Sequence, residues 1–130
     1  MIGIRGAISI EKDSKEDVEN AVMELLQAIF ERNELITHKI VSMIFSVTSD
    51  IRSYNPATAA RKKFGLSETP LMCLLEASFE DSPPRIIRVL IHYNVNSDFR
   101  VNHVYLRRAK DLRPDISSKK NFNFKGGVNQ

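Results

Sequence analysis

Apolar residues recur along this chain with two periods, and each change of period marks a predicted element. Over residues 1–10, Ile2, Ile4, Ile8 and Ile10 lie to one side with small or polar residues between them, the two-residue period of a strand. From Ser14 to about Arg32 the spacing becomes three and four. Val18, Ala21, Val22, Leu25, Leu26, Ile29 and Phe30 then form one core-facing stripe of an amphipathic helix, with Ser14 as N-cap and acidic Asp17 behind it. Ile40 to Thr48 returns to a strand, dense enough in apolar side chains to predict cover on both faces.

Asn55-Pro56 reads as an N-cap followed by proline at the first helical position, and Gly65 closes that short helix behind Phe64. Leu71 to Phe79 and Arg85 to Val95 are two further strands. The short link Glu80-Asp81-Ser82-Pro83-Pro84 predicts that they pair antiparallel. Val101 to Leu106 is a last short strand. One domain over residues 1–115 is expected, followed by a flexible tail, 116–130, rich in Lys, Asn and Gly, with Phe122 and Phe124 as its large apolar anchors and candidates to close over a site.

Five strands and two helices predict an α+β fold, a mixed and mostly antiparallel sheet with both helices on one face. The other face then needs cover, so an oligomer is expected. With 42% hydrophobic and 27% charged residues, the composition is that of a soluble globular protein. The longest apolar stretch, Ile40 to Val47, contains Ser42 and is far short of the ~20 residues that span a bilayer. The start lacks the pattern of a secretory signal, and a lone Cys73 cannot form an internal disulfide. A cytoplasmic protein with no membrane partner is expected.

Charge changes the picture only by subtraction. The net +3 comes from Lys119, Lys120 and Lys125, because residues 1–115 carry 16 basic and 16 acidic side chains. No ordered basic run would follow phosphates, so nucleic acid is not an expected partner. No phosphate-binding glycine loop, zinc-spaced Cys/His cluster or Ser-His-Asp order is present, and His38, His92 and His103 are scattered.

The candidate chemistry lies in polar residues embedded in the strands. Arg88 interrupts Arg85-Ile86-Ile87-Arg88-Val89-Leu90-Ile91, sharing a face with Ile86 and Leu90 while Ile87, Val89 and Ile91 take the other. A guanidinium there either pairs with a structural carboxylate, for which Glu76 is the candidate, or receives an anionic ligand. Arg5, Cys73, Glu76 and Tyr105 are the other polar residues in strand-like runs.

The chain resembles the AroH-type monofunctional chorismate mutases, the trimeric α+β class. The likeness runs through Ile4-Arg5-Gly6-Ala7, Ser46-Val47-Thr48-Ser49-Asp50, Pro56-Ala57, Arg61, Cys73-Leu74-Leu75-Glu76, Ile87-Arg88-Val89, His103-Val104-Tyr105-Leu106 and Leu112-Arg113-Pro114-Asp115, in order. It implies a ferredoxin-like or RidA-like subunit, a homotrimer with a pseudo-barrel core, and active sites between subunits. It also implies conversion of chorismate to prephenate, on the way to phenylalanine and tyrosine, with no cofactor and no metal.

By the same resemblance, Arg88 would donate to the breaking ether oxygen and a carboxylate. Arg5 and Tyr105 would hold carboxylate, while Glu76 and Cys73 would meet the ring hydroxyl. On that reading Glu76 need not touch Arg88. Arg61, Thr58, Met72, Leu112 and Arg113 complete the expected substrate-binding set.

Three positions depart from the family pattern: Asn55, often aromatic; Thr58, often lysine; and Met72, often threonine. Lys62, one helical turn beyond Thr58, is the candidate replacement cation. Cys73 and Glu76 are three apart, so a regular strand sends them to opposite faces; a bulge or a main-chain role for Cys73 is required. Two other readings stay open, a RidA-type imine deaminase and a non-catalytic module that binds an aromatic amino acid or a carboxylate metabolite.

Overall fold

A computed structural model describes residues 1–117. Its elements follow local chemistry closely at the first half of the chain. Strand β1 (Ile2–Ser9) leads to helix α1 (Lys15–Asn33), where the Asp17 N–H donates to Ser14 Oγ at 3.1 Å as the N-cap requires. After a 3₁₀ turn at Thr37–Lys39 come strand β2 (Ile40–Val47) and helix α2 (Pro56–Phe64). Asn55 Oδ1 caps α2 by accepting from the Ala57 N–H at 2.8 Å, and Gly65 ends it at φ 64°, a left-handed conformation that glycine adopts without a Cβ clash. Strands β3 (Leu71–Leu75), β4 (Ile86–Tyr93) and β5 (Val104–Leu106) follow, then a 3₁₀ segment, Arg107–Leu112, and the one-turn helix α3 (Pro114–Ser117).

The sheet order is β3-β2-β4-β1-β5, with β4 antiparallel to both β1 and β2. The two outer strands pair parallel, β3 with β2 and β5 with β1. The fold is therefore the expected mixed α+β sheet, but the predicted β3 and β4 hairpin does not form. The chain leaves the sheet after Leu75, turns where the Ser82 N–H donates to Phe79 O at 3.0 Å, and passes through Pro83-Pro84 to Arg85 at φ 51°. Both carboxylate oxygens of Asp50 then accept from the Arg85 N–H, each at 3.1 Å. This anchored excursion carries β4 across the end of β2 to its far side. It also explains why the predicted strand to Phe79 stops at Leu75.

One face of the sheet carries the core. Ile4 and Ile8, Met43 and Phe45, and Ile87, Val89 and Ile91 pack with α1 and α2, and Phe30 of α1 meets Phe64 of α2 at 5.3 Å between ring centroids. Gly6 allows α1 to approach closely, since a Cβ there would lie 2.7 Å from Ile29 Cδ1. Among the described residues the opposite face has no helix over most of its width, and cover is found at its β5 end, where Ala7, Ile86, Tyr105 and Ala109 gather with Leu112 and Ile116. β2 is consequently covered on one face, not two, with Val41 exposed and burial alternating along the strand.

α3 crosses the expected boundary between domain and tail, and Ile116 packs on the Tyr105 cluster. Phe122 and Phe124 lie outside the described residues. Among the described residues no helix is long and apolar enough to cross a membrane.

Candidate active site

Strand register builds the site in two rungs across the uncovered face. Leu74, Ser46, Arg88, Ala7 and Tyr105 lie side by side on β3, β2, β4, β1 and β5. The next rung runs Met72, Ile44, Leu90 and Arg5. Arg5 is thus diagonal to Arg88, within reach for long side chains. A depression of about 270 Å³ is lined by Arg5, Ser46, Arg88, Leu90 and Tyr105 among others.

Glu76 stands beside Arg88 and Ser46. Its Oε1 accepts from Arg88 Nε at 2.9 Å and from Ser46 Oγ at 3.0 Å, while its own N–H donates to Val47 O at 2.8 Å. Arg88 and Glu76 therefore touch, the pairing for which Glu76 was the candidate carboxylate. Their side chains are 36% and 16% exposed, so the pair sits at a wall and not in the interior. The terminal nitrogens of Arg88 and the guanidinium of Arg5 have no hydrogen-bond partner among the described residues. Glu76 lines a second depression of about 420 Å³, which reaches Phe79, Ser82 and Leu112 and shares Ser46 and Arg88 with the first.

At the β5 edge, His103 Nδ1 accepts from the Arg5 N–H at 3.0 Å. Burial, then the nearby charges of Arg5 and Arg113, push the His103 pKa down to about 4. The imidazole is therefore neutral at physiological pH and does not add a third cation. Arg113, partly exposed, is engaged by Asp115 through Nη2 at 2.8 Å and Nε at 3.0 Å, and its hydrogen bond with Asp115 raises its pKa.

The sequence-derived set divides between faces. Arg5, Arg88 and Tyr105 line the first depression, Glu76 joins them through its contact with Arg88 and lines the second with Leu112, and Met72 lies one rung away. Cys73 does not join them. It aligns with buried Phe45, packs against the helix-side core, and its half-buried thiol is raised in pKa by that burial. The β3 and β2 register contains no shift, so the strand has no bulge that would turn the Cys73 side chain round. The ladder from the Met43 N–H to Pro70 O and from the Glu76 N–H to Val47 O uses the even-numbered residues of the β3 stretch, leaving the Cys73 N–H and C=O on the free edge. Thr58, Arg61 and Lys62 are on α2, which packs on the opposite face. Asn55, where the family often has an aromatic, serves here as the α2 cap.

Ser46 is a site residue that sequence reasoning did not single out. Its signal was the motif in which it sits, and its position beside Arg88 emerges only from the pairing of β2 with β4. Chemically, two arginines with free donors beside one carboxylate favour a ligand carrying carboxylates and a hydroxyl. Among the described residues no three His, Cys, Asp or Glu side chains converge where a metal ion would sit.

Comparison with known proteins identifies the family. The family model of chorismate mutase type I matches residues 1–116. The chorismate mutase AroH of Thermus thermophilus is 43% identical over 118 residues, covering 89% of this chain and 96% of that protein. The corresponding enzyme of Bacillus subtilis (strain 168) is 35% identical over 121 residues, covering 92% and 94%. A solved chorismate mutase from Clostridium thermocellum superposes with a TM-score of 0.79 at 35% identity, over 85% of this chain and 99% of that one. The match extends over the strands that carry both rungs, which disposes of the RidA-type alternative, and the chain belongs to the chorismate mutase type I family of isomerases.

Proposed function

We propose that the protein converts chorismate to prephenate for phenylalanine and tyrosine synthesis, as a cytoplasmic homotrimer without cofactor. The observation that carries this reading is Arg88, held through Nε by Glu76 with its terminal nitrogens free at the edge of a cleft. In the rearrangement a carbon–oxygen bond breaks as a carbon–carbon bond forms, and negative charge grows on the ether oxygen. No nucleophile or proton transfer is needed. The protein's tasks are to fold a dianion into a chair-like conformer and to meet the developing charge with a fixed donor.

Arg88 supplies that donor and contacts one carboxylate. Arg5, diagonal to it, and Tyr105, on the same rung as Arg88, hold carboxylate. Glu76 accepts the ring hydroxyl through its second oxygen, and Cys73 assists through its main chain at the free edge of β3. The low end of enzymatic acceleration needs ~8 kcal/mol, whereas one well-aimed donor supplies ~3–4. Conformer selection by the carboxylate contacts provides the remainder.

Two features support sites between subunits. Leu74 and Met72 are exposed on the uncovered face, an apolar surface beside a charged cleft. Thr58, Arg61 and Lys62 sit on the other side of the sheet, so only the α2 of a neighbouring copy can bring them to Arg88. Three subunits joined face to edge would form the pseudo-barrel core, and Arg113 and Leu112 would border the entrance.

The test is loss of chorismate absorbance on adding purified protein, with Arg88→Ala beside it. Turnover is expected, and the variant should lose about 10²–10³ in kcat with a smaller rise in KM, because the ether contact strengthens in the transition state. A change in KM alone would leave Arg88 as a carboxylate anchor. No turnover by the parent would leave a non-catalytic carboxylate-binding module.

A further inference from the structure

Ser46 faces Arg88 across β2 and β4, and the mechanism above gives it no task. Its hydroxyl donates to Glu76 Oε1 at 3.0 Å, the oxygen that also accepts from Arg88 Nε at 2.9 Å. We propose that Ser46 is a positioning residue: it holds the Glu76 carboxylate in single-oxygen contact with Arg88 and so keeps the terminal guanidinium nitrogens free for the ligand. This inference rests on the reaction proposed above.

An arginine and a carboxylate left to themselves favour two parallel N–H···O bonds. Glu76 can approach that geometry by turning about its terminal torsion, which is broad and costs little. The second bond would occupy a terminal nitrogen of Arg88, a donor that the ether oxygen needs. Arg88 Nε and Ser46 Oγ are the two side-chain donors to Glu76 Oε1 among the described residues. Two donors from different directions fix the plane of the carboxylate, where one would leave it free to swing. Ser46 is suited to this because its side chain has one heavy-atom torsion, so the position of its oxygen follows from strand register.

The same arrangement defines what Glu76 offers. Oε1 is taken up by Ser46 and Arg88, while Oε2 has no hydrogen-bond partner among the described residues and is left to accept a hydroxyl. Ser46 lines both depressions, as Arg88 does. A serine that merely satisfied its own hydroxyl would have no reason to influence the rate.

The experiment compares Ser46→Ala, Ser46→Thr and both Glu76→Asp and Ser46→Ala/Glu76→Asp with the parent protein, by chorismate kinetics and thermal melting. Loss of a hydrogen bond to a charged group predicts that Ser46→Ala lowers kcat about tenfold or more, with a smaller change in KM. Ser46→Thr keeps the hydroxyl on a residue suited to a strand, and recovers most of the rate. Glu76→Asp withdraws the carboxylate from Ser46, so adding Ser46→Ala there has little further effect if the serine acts through Glu76. The proposal is overturned if Ser46→Ala stays within about twofold of the parent, a change smaller than one lost hydrogen bond produces. Equal losses in both Glu76 backgrounds, or a loss that threonine does not recover, overturn it as well. A parent without turnover defeats the assigned reaction and this inference together, whereas an active parent with an unaffected Ser46→Ala defeats the inference alone.

Discussion

The two faces of one sheet are made by alternate residues of the same strands, yet they follow opposite rules. On the helix side, Phe45, Val89 and Ile4 are buried in one apolar cluster with residues of α1 and α2. One step along each strand, Ser46, Arg88 and Arg5 face the cleft and retain polar groups without a full set of partners. Packing and unsatisfied chemistry are thus separated by a single residue of register. A one-residue slip in β4 would place Arg88 in the core and Val89 in the cleft, so the register is specified by the hydrophobic face and used by the polar one. The covered face supplies rigidity, and the uncovered face keeps the terminal nitrogens of Arg88 and the Arg5 guanidinium out of its hydrogen bonds among the described residues.

The largest test of that contrast is on the covered side. Phe45→Ala removes a fully buried ring and should cost about 3–5 kcal/mol of stability, read from urea unfolding. A loss under about 1 kcal/mol would mean that the core is far more plastic than close packing permits. Arg88→Ala is its complement: a comparable energy is lost from the transition state, while the melting temperature moves much less because the side chain is partly exposed.

Leu74 sharpens the comparison at a smaller scale. It lies on the Arg88 rung but is 48% exposed, so within one subunit its replacement should change stability by about 0.5 kcal/mol or less. If the uncovered face is a subunit interface, Leu74→Asp instead yields smaller species in sedimentation and reduced turnover. A variant with unchanged sedimentation and full activity would remove this face from the assembly.

Local chemistry was legible in the sequence wherever a few adjacent residues decide the outcome. Ser14 and Asp17, Asn55-Pro56 and Gly65 marked helix ends, and the alternation around Arg88 correctly divided β4 between two faces. Pairing was not legible in the same way. A short link between strands normally favours a hairpin, but Pro83-Pro84 and the grip of Asp50 on the Arg85 N–H redirect this one. Ser46 was overlooked for the same reason, since its value depends on which strand lies beside β2. The Arg88 question turned on a choice that the molecule does not make: Nε pairs with Glu76 while the terminal nitrogens remain available.

A pH-dependent effect lies where the two faces meet the β5 edge. His103 accepts the Arg5 N–H through Nδ1, and protonating that nitrogen would break the bond and set a third cation near Arg5 and Arg113. Burial first, and then those two charges, lower its pKa from 6.5 to about 4 in the folded protein. Between these values the unfolded chain binds a proton that the native chain does not, so stability falls as pH drops from about 6.5 towards 4 and is unaffected by this group above that window. Asp13 and Asp115, whose pKa values are lowered, lose their contributions only in more acidic solution, below the ordinary carboxylate value of 3.8. Urea midpoints at pH 7 and pH 5 separate the two. His103→Gln should unfold at more nearly equal urea concentrations at both pH values than the parent does, because it removes the differential proton. If parent and variant show the same drop, His103 does not couple the Arg5 main chain to pH, and Arg5 is held in place by the β1 and β4 ladder alone.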